Sequence, residues 1–554
     1  FQEREMGVAW QCARKSSSHL RAIVAVAAAC SVAMIVGAAA MRLFIIPSLV
    51  RMMVLKDAPL TEGTRTLKGW RDPTYKFDFK VWVYSVKNPD DVLQGAVPEV
   101  RAIGPYVFDK FPHQEITRIG NGTVAFKRRS LHFFNESESC SECFLGNRIW
   151  IPNLIYQKFV EVASKPAMKA TATTLLAQTP FLELQVGDML FNGYKDPFIQ
   201  KFCDVPFVNV ICQTVFDLPE RIGLLYGQNN SYFEGEFVVK DGSFDIKERA
   251  EMLSYNGMSH LKEAWWTTPE AREIRGTEGT IFHPFIDKSE TLYTFGSQLC
   301  RTMELNFEKE IDYRGMTLFR YVVGPAQFDA STYAGGGFCH GDEKQIFPEQ
   351  MKPRRDGGKT GCYPPGLIQI SRCQRNEPPV VLSMPNFNFA PDYVRKSIKG
   401  MNETDQERDR IIVDIEPILG IVVRVDRHIQ INGEFWAGVD IPIPSFHRTQ
   451  RSAIIPMMVI HDDAEIDDKT FDLIWQELYV GRRIVYGAST LLFVLGLMLG
   501  IAAIVYAFFM SRQGSKFRPS AWQGSVTPSS TSSKAVLQSR GASVSSGRSG
   551  PKFY

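Results

Sequence analysis

The chain has 554 residues with 63 basic and 60 acidic side chains, a formal net charge of +3, and 44% hydrophobic content. So nearly balanced a charge excludes the strong positive field that attracts nucleic acid. The composition is otherwise that of a globular protein with membrane spans added.

The sequence opens on Phe1 rather than a methionine, so residues preceding it are expected. From Ala22 to Met41 no charge occurs, and Leu43 to Ile46 follow Arg42. An apolar helix of roughly 25 residues crosses a hydrocarbon core about 30 Å thick. A buried core helix and a cleaved signal peptide are the alternatives. The run exceeds a signal core of about 7–15 residues, and no small-residue cleavage site interrupts it.

Beyond this run, Phe77, Phe79, Val81 and Val83 alternate with Lys76, Asp78, Lys80 and Trp82, the period of two of a strand. Further strands are predicted over Thr123–Phe133, Tyr232–Lys240 (closed by Asp241-Gly242), Leu318–Val323 and Ile421–Ile431. Between Asn153 and Tyr194 the pattern changes. Ile155, Phe159 and Val162 recur at helical spacing, with breaks at Pro166 and Pro180, which predicts a small helical cluster inserted into a sheet. A second uncharged run covers Ile484 to Met510, with Arg482 and Arg483 before it and Arg512 after it, as Arg21 precedes the first. The tail from Ser511 is rich in Ser, Gly and basic residues and is expected to be disordered. The predicted organisation is a tail over 1–21, a span over 22–46, one large extracytoplasmic domain over 47–483, a span over 484–510 and a tail over 511–554.

Flanking charge does not orient the spans, because both sides of the first are basic. The N-x-S/T sequons at Asn121, Asn135, Asn229 and Asn402 all lie between the spans, as do eight of the ten cysteines. Glycan acceptors and an even thiol count point to an oxidising lumen, with both termini cytosolic. Cys140-Ser141-Glu142-Cys143 has the spacing of a redox pair, half a zinc site or a local bridge. The absence of a βαβ pattern around it favours the bridge.

Enzyme motifs are not met. Asp356-Gly357-Gly358-Lys359-Thr360 ends like a phosphate-binding loop, but Pro353 stands where its first glycine belongs. Gly335-Gly336-Gly337 has His340 in place of the third glycine of a dinucleotide fingerprint. No G-x-S-x-G or H-E-x-x-H occurs and the nine histidines are scattered. No catalytic residue, cofactor or metal site is predicted.

Arg101 to Phe108 (RAIGPYVF), Asn192 to Phe198 (NGYKDPF), Phe282 to Phe295 (FHPFIDKSETLYTF), Cys300-Arg301 and Asp414 to Gly420 (DIEPILG), with the flanking spans, resemble the class B scavenger receptor family. That family includes the lysosomal integral membrane protein type 2 and the arthropod sensory neuron membrane proteins. DYRGMTLFRYV, CYPPGLIQISRC and the Cys203/Cys212 pair are most similar to invertebrate members. The resemblance implies an α+β fold: a large antiparallel β-barrel-like ectodomain with an internal tunnel and an apical helical bundle, anchored by two transmembrane helices. It implies bridges Cys300–Cys373 and Cys339–Cys362, with Cys203–Cys212 as a local pair. It places Lys158, Phe159, Lys165 and Lys169 at a ligand-meeting apex, although Leu175 to Gln178 stand where some relatives are basic. The implied protein is a plasma-membrane receptor, or an endosomal or lysosomal one. Its partners would be lipids, fatty acids, sterols, carotenoids or lipoproteins, passed through the tunnel to the membrane, with homo-oligomers possible. The alternatives are a receptor recognising cells, pathogens or an enzyme cargo, or a sensory protein aiding odorant or pheromone detection.

Overall fold

A computed structural model describes residues 2–73, 76–203, 220–352, 360–443 and 449–515. They form two compact units, one of the two terminal segments and one spanning Ala40–Ala488.

In the terminal unit the helix Gln2–Ala40 packs against the part of the helix Gly481–Ser515 that starts at Ser489. Their contact is made by small residues. Ser31 Oγ donates to the Gly496 carbonyl at 2.7 Å, and a Cβ added at Gly500 would lie 2.5 Å from that hydroxyl. Glycine therefore sets how closely the backbones approach, the usual device between helices in lipid. Ile23, Val26 and Val32 on one helix, and Leu491, Ile501 and Ile504 on the other, remain exposed. The helical stretches His19–Asp57 and Asp468–Arg512 are long and apolar enough to cross a membrane, and they contain both predicted spans. Residues 516–554, most of the tail expected to be disordered, lie outside the described residues.

The larger unit is a sheet wound on itself. Its strands are β1 (Lys76–Val86), β2 (Val100–Gly120), β3 (Thr123–Phe134), β4 (Arg148–Pro152), β5 (Phe181–Gln185), β6 (Glu236–Lys240), β7 (Met252–Tyr255), β8 (Leu292–Gly296), β9 (Arg301–Tyr313), β10 (Met316–Val323), β11 (Leu367–Gln369), β12 (Val380–Ser383), β13 (Ile411–Glu416), β14 (Ile421–Phe435) and β15 (Ala453–Glu465). Thirteen of them make one sheet in the order β7-β6-β3-β2-β1-β15-β14-β13-β10-β9-β8, with β12 and β11 branching from β14. The predicted alternation in β1 is realised: Phe79, Val81 and Val83 are buried on one face.

Residues between β7 and β8 close the sheet. Met252 N–H donates to the Gly276 carbonyl at 2.7 Å, Thr277 N–H to the Tyr293 carbonyl at 2.9 Å, and Phe295 N–H to the Thr277 carbonyl at 2.8 Å. The segment thus bridges the two terminal strands and leaves a nearly closed antiparallel barrel. Only glycine serves at position 276, where φ is +77° and a Cβ would sit 2.1 Å from the Tyr293 carbonyl oxygen.

The helical cluster forms as Leu154–Ser164 followed by a 3₁₀ stretch, Pro166–Ala177. Asn153 caps it by accepting from Ile155 and Tyr156 N–H at 3.0 and 3.1 Å, and Pro166, which cannot continue the hydrogen-bond ladder, tightens the path. The region is not helical throughout, since β5 pairs with β4 in a separate two-stranded sheet. Phe181 stacks on Phe435 with centroids 4.7 Å apart, and Gln157 Oε1 accepts from Trp436 N–H at 2.9 Å. The cluster therefore sits where β14 ends and β15 begins. From there β15 runs for 13 residues, roughly 43 Å, to the opposite end, where Asp468 starts the last helical stretch.

Cys300 is bonded to Cys373 and Cys339 to Cys362, the second loop nested within the first. Cys140 is bonded to Cys143. Cys212, and with it the expected Cys203–Cys212 pairing, and the Pro353 to Lys359 stretch lie outside the described residues.

Candidate ligand cavity

Inside the barrel is a cavity of about 1310 Å³, larger than the roughly 300–1,000 Å³ of most small-molecule sites. Its wall is mostly aliphatic and aromatic. Leu154, Phe191 and Leu225 line it towards the helical cluster, and Leu305, Leu382, Val413, Ile429 and Ile460 line its middle. Ile46, Leu49, Met53, Leu473 and Val485 line the end from which the chain leaves the barrel. The strand period delivers these residues: Val425, Ile429 and Ile431 share one face of β14, and Asp426, His428 and Gln430 point the other way.

Charged groups interrupt the apolar wall in several places, and one of them is a three-residue cluster. Arg427 and Asp462 are cross-strand partners on β14 and β15, and both line the cavity with Lys110 of β2. Asp462 accepts from Lys110 Nζ at 2.8 and 3.0 Å and is also bonded by Arg427. Burial alone would raise the Asp462 pKa, but Lys110 and Arg427 overcome it and hold the carboxyl well below its usual range. Two cations face one anion here, which leaves an excess positive charge in an apolar wall. Beside it His132 packs on Phe79 and Phe191, with centroids 5.1 Å away in each case. Desolvation, aided by Lys110, pushes its pKa down to about 4 and keeps it neutral near pH 7. A second group, Arg128 with Glu234 at 2.8 Å and Ser297 donating to Glu234 at 2.6 Å, also borders the cavity.

Sequence reasoning did not single out these residues, although a signal existed. A charge that recurs in step with inward aliphatic residues, as Arg427 does between Val425 and Ile429, marks a polar spot on an apolar face. The residues it did single out are dispersed on the helical cluster. Phe159 is buried against Phe198, centroids 5.2 Å apart, and supports the cluster from within. Lys158 Nζ lies 3.6 Å from Glu161 and 3.7 Å from Glu377, and donates to the Glu377 carbonyl at 3.1 Å. Lys165 is exposed and Lys169 half-buried. Asn121, Asn229 and Asn402 are exposed, while Asn135 is half-buried and donates to Asp109 at 3.1 Å.

The sequence pattern of the CD36 family matches residues 29–507. The chain is 28% identical over 420 residues to lysosome membrane protein 2 of Rattus norvegicus, covering 75% of this chain and 80% of that protein. It is 26% identical over 475 residues to scavenger receptor class B member 1 of Cricetulus griseus, covering 84% of this chain and 85% of that protein. With its whole barrel and part of each terminal helix inside the matched region, the chain belongs to the CD36 family.

Proposed function

We propose that this protein is a two-pass membrane receptor, with both termini cytosolic, that takes up lipid molecules and passes them through the barrel to the bilayer. The observation that carries this reading is a cavity that runs from the helical cluster to Ile46 and Val485 and is lined mostly by apolar side chains. The relatives support it, one being named a scavenger receptor and the other a lysosome membrane protein. The plasma membrane is the proposed site of action, with the lysosomal membrane as the alternative.

Exposing a sixteen-carbon chain to water costs about 0.8 kcal/mol per methylene, roughly 12 kcal/mol in all. A mostly apolar wall removes much of that barrier, and a concentration gradient then suffices to drive net flow. Lys110 and Arg427, only partly balanced by Asp462, suit a ligand with an anionic head such as a carboxylate. Lys165 and Lys169 would add a weak, salt-screened attraction for anionic particles at the helical cluster.

The test is to fill the middle of the cavity with Ile429→Trp or Leu382→Trp in cells given a labelled fatty acid or lipoprotein lipid. Surface expression and particle binding should persist while lipid uptake falls at least tenfold. Unchanged uptake would leave a receptor that recognises proteins or cells, with the cavity incidental.

A further inference from the structure

The outer face of the barrel carries a second constellation, independent of the cavity. Asp426 and His428 are two residues apart on β14 and so share a face, and His461 of β15 is the direct cross-strand partner of His428. His461 Nε2 lies 2.9 Å and His428 Nε2 3.6 Å from the same oxygen, Asp426 Oδ1, and the two rings are 3.9 Å apart. One ligand atom from each residue falls within 4.8 Å of the others. Metal–ligand bonds of about 2.0–2.2 Å in a tetrahedron set donor atoms roughly 3.3 Å apart, which the two measured separations bracket.

Hydrogen bonding fixes which atoms are available. His428 Nδ1 is 2.6 Å from the Arg408 carbonyl, so it must carry the proton, and the neutral ring presents a bare Nε2. That lone pair faces a carboxylate oxygen, an acceptor opposite an acceptor. A cation between them would satisfy both. A second proton on His428 would place an imidazolium in a buried position against another imidazole, whereas a metal ion would use both rings. A backbone carbonyl orienting a histidine through its other nitrogen is also the usual outer-shell arrangement of metal sites.

A further observation points the same way. Asp463, two residues after His461 on the same face and directly opposite Asp426, has a buried Oδ1 with no hydrogen-bond partner. The cation nearest to it is Arg424, at 3.9 Å, which also stands 3.6 Å from Asp426 Oδ2.

We propose that Asp426, His428 and His461 bind a divalent transition-metal ion on the outside of the barrel, with zinc as the first candidate. Two imidazoles and one carboxylate suit zinc, and water would complete the tetrahedron. On binding, the His461 proton now directed at Asp426 moves to Nδ1, so the ring stays neutral and its Nε2 becomes a ligand. The ion would tie β14 to β15 and, through the Arg408 carbonyl, to the loop before β13.

The test uses the full chain without a histidine tag, in detergent micelles, stripped by a chelator and titrated calorimetrically with Zn²⁺ near neutral pH. One equivalent should bind, and the thermal unfolding midpoint should rise with added Zn²⁺. His461→Asn and Asp426→Asn should each weaken binding at least tenfold and abolish the rise in midpoint. His461→Asn is the safer variant, because His461 is less buried than His428. If the parent takes up no Zn²⁺, or if His428→Asn with His461→Asn binds as the parent does, the site does not exist.

Discussion

Asp462 holds the cavity's charges in place, and its removal should be felt throughout the barrel. Asp462→Asn leaves Lys110 and Arg427 facing one another in an apolar wall. Breaking one side of a buried pair costs about 3–5 kcal/mol, so the unfolding temperature of the purified protein should fall by several degrees. The pKa of this carboxyl is depressed, so its contribution is full above the unfolded value and is lost only as pH falls through the folded one. The cluster therefore stays ionised in mildly acidic compartments. Two other residues respond to pH with opposite sign. The His132 pKa is pushed down to about 4 by desolvation, so the unfolded chain binds its proton first and stability falls as pH drops from about 6.5 to 4. Burial pushes Glu416 up to about 7, although Leu419 N–H and the Tyr479 hydroxyl, at 2.7 and 3.0 Å, oppose the shift. The folded chain holds that proton more tightly, and stability rises as pH falls from about 7 to 4.5. His132→Gln should thus flatten the loss of stability on acidification, and Glu416→Gln should deepen it, each by about 1–3 kcal/mol in denaturation curves at pH 7 and 5.

At the scale of elements, the nested bridges brace the region around β9 to β12. The Cys300–Cys373 bridge closes a separation of 73 residues, which in the chain-entropy account stabilises by about 4.4 kcal/mol. Cys300→Ser should therefore leave the protein in the secretory pathway with immature glycans, and a Cys300→Ser/Cys373→Ser pair should recover part of the surface signal by removing the reactive orphan thiol. Surface biotinylation reads both outcomes. Five of the fifteen strands, β1, β3, β6, β10 and β14, were legible in the sequence: Phe79, Val81 and Val83, buried on one face, announce β1 by alternation. Three things were not legible. A wall residue of a cavity and a residue of a solid core have the same period, so Ile429 does not reveal which it is. The closure at Gly276 and Thr277 rests on a stretch without periodicity. The His428–His461 pair needs the register of β14 against β15, across the connection over 436–452, which spacing alone does not supply.

For the whole molecule, the proposed topology makes a direct claim about glycans and tags. Endoglycosidase should shift the mass of protein made in cells, with Asn121, Asn229 and Asn402 as exposed acceptors. Epitope tags at either terminus should stay inaccessible to antibody on intact cells, and a tag stained without permeabilisation would overturn the orientation. The barrel's connectivity also bears on synthesis. β1, the first strand to be made, pairs with β15, the last, through Lys76 and Glu465. Roughly 390 residues separate those partners, so at about 5–20 residues per second the first strand waits about 20–80 s for its neighbour. During that interval one edge of β1 stays open and the cavity has no complete wall, which makes the nascent chain a client for lumenal chaperones until its final strand emerges.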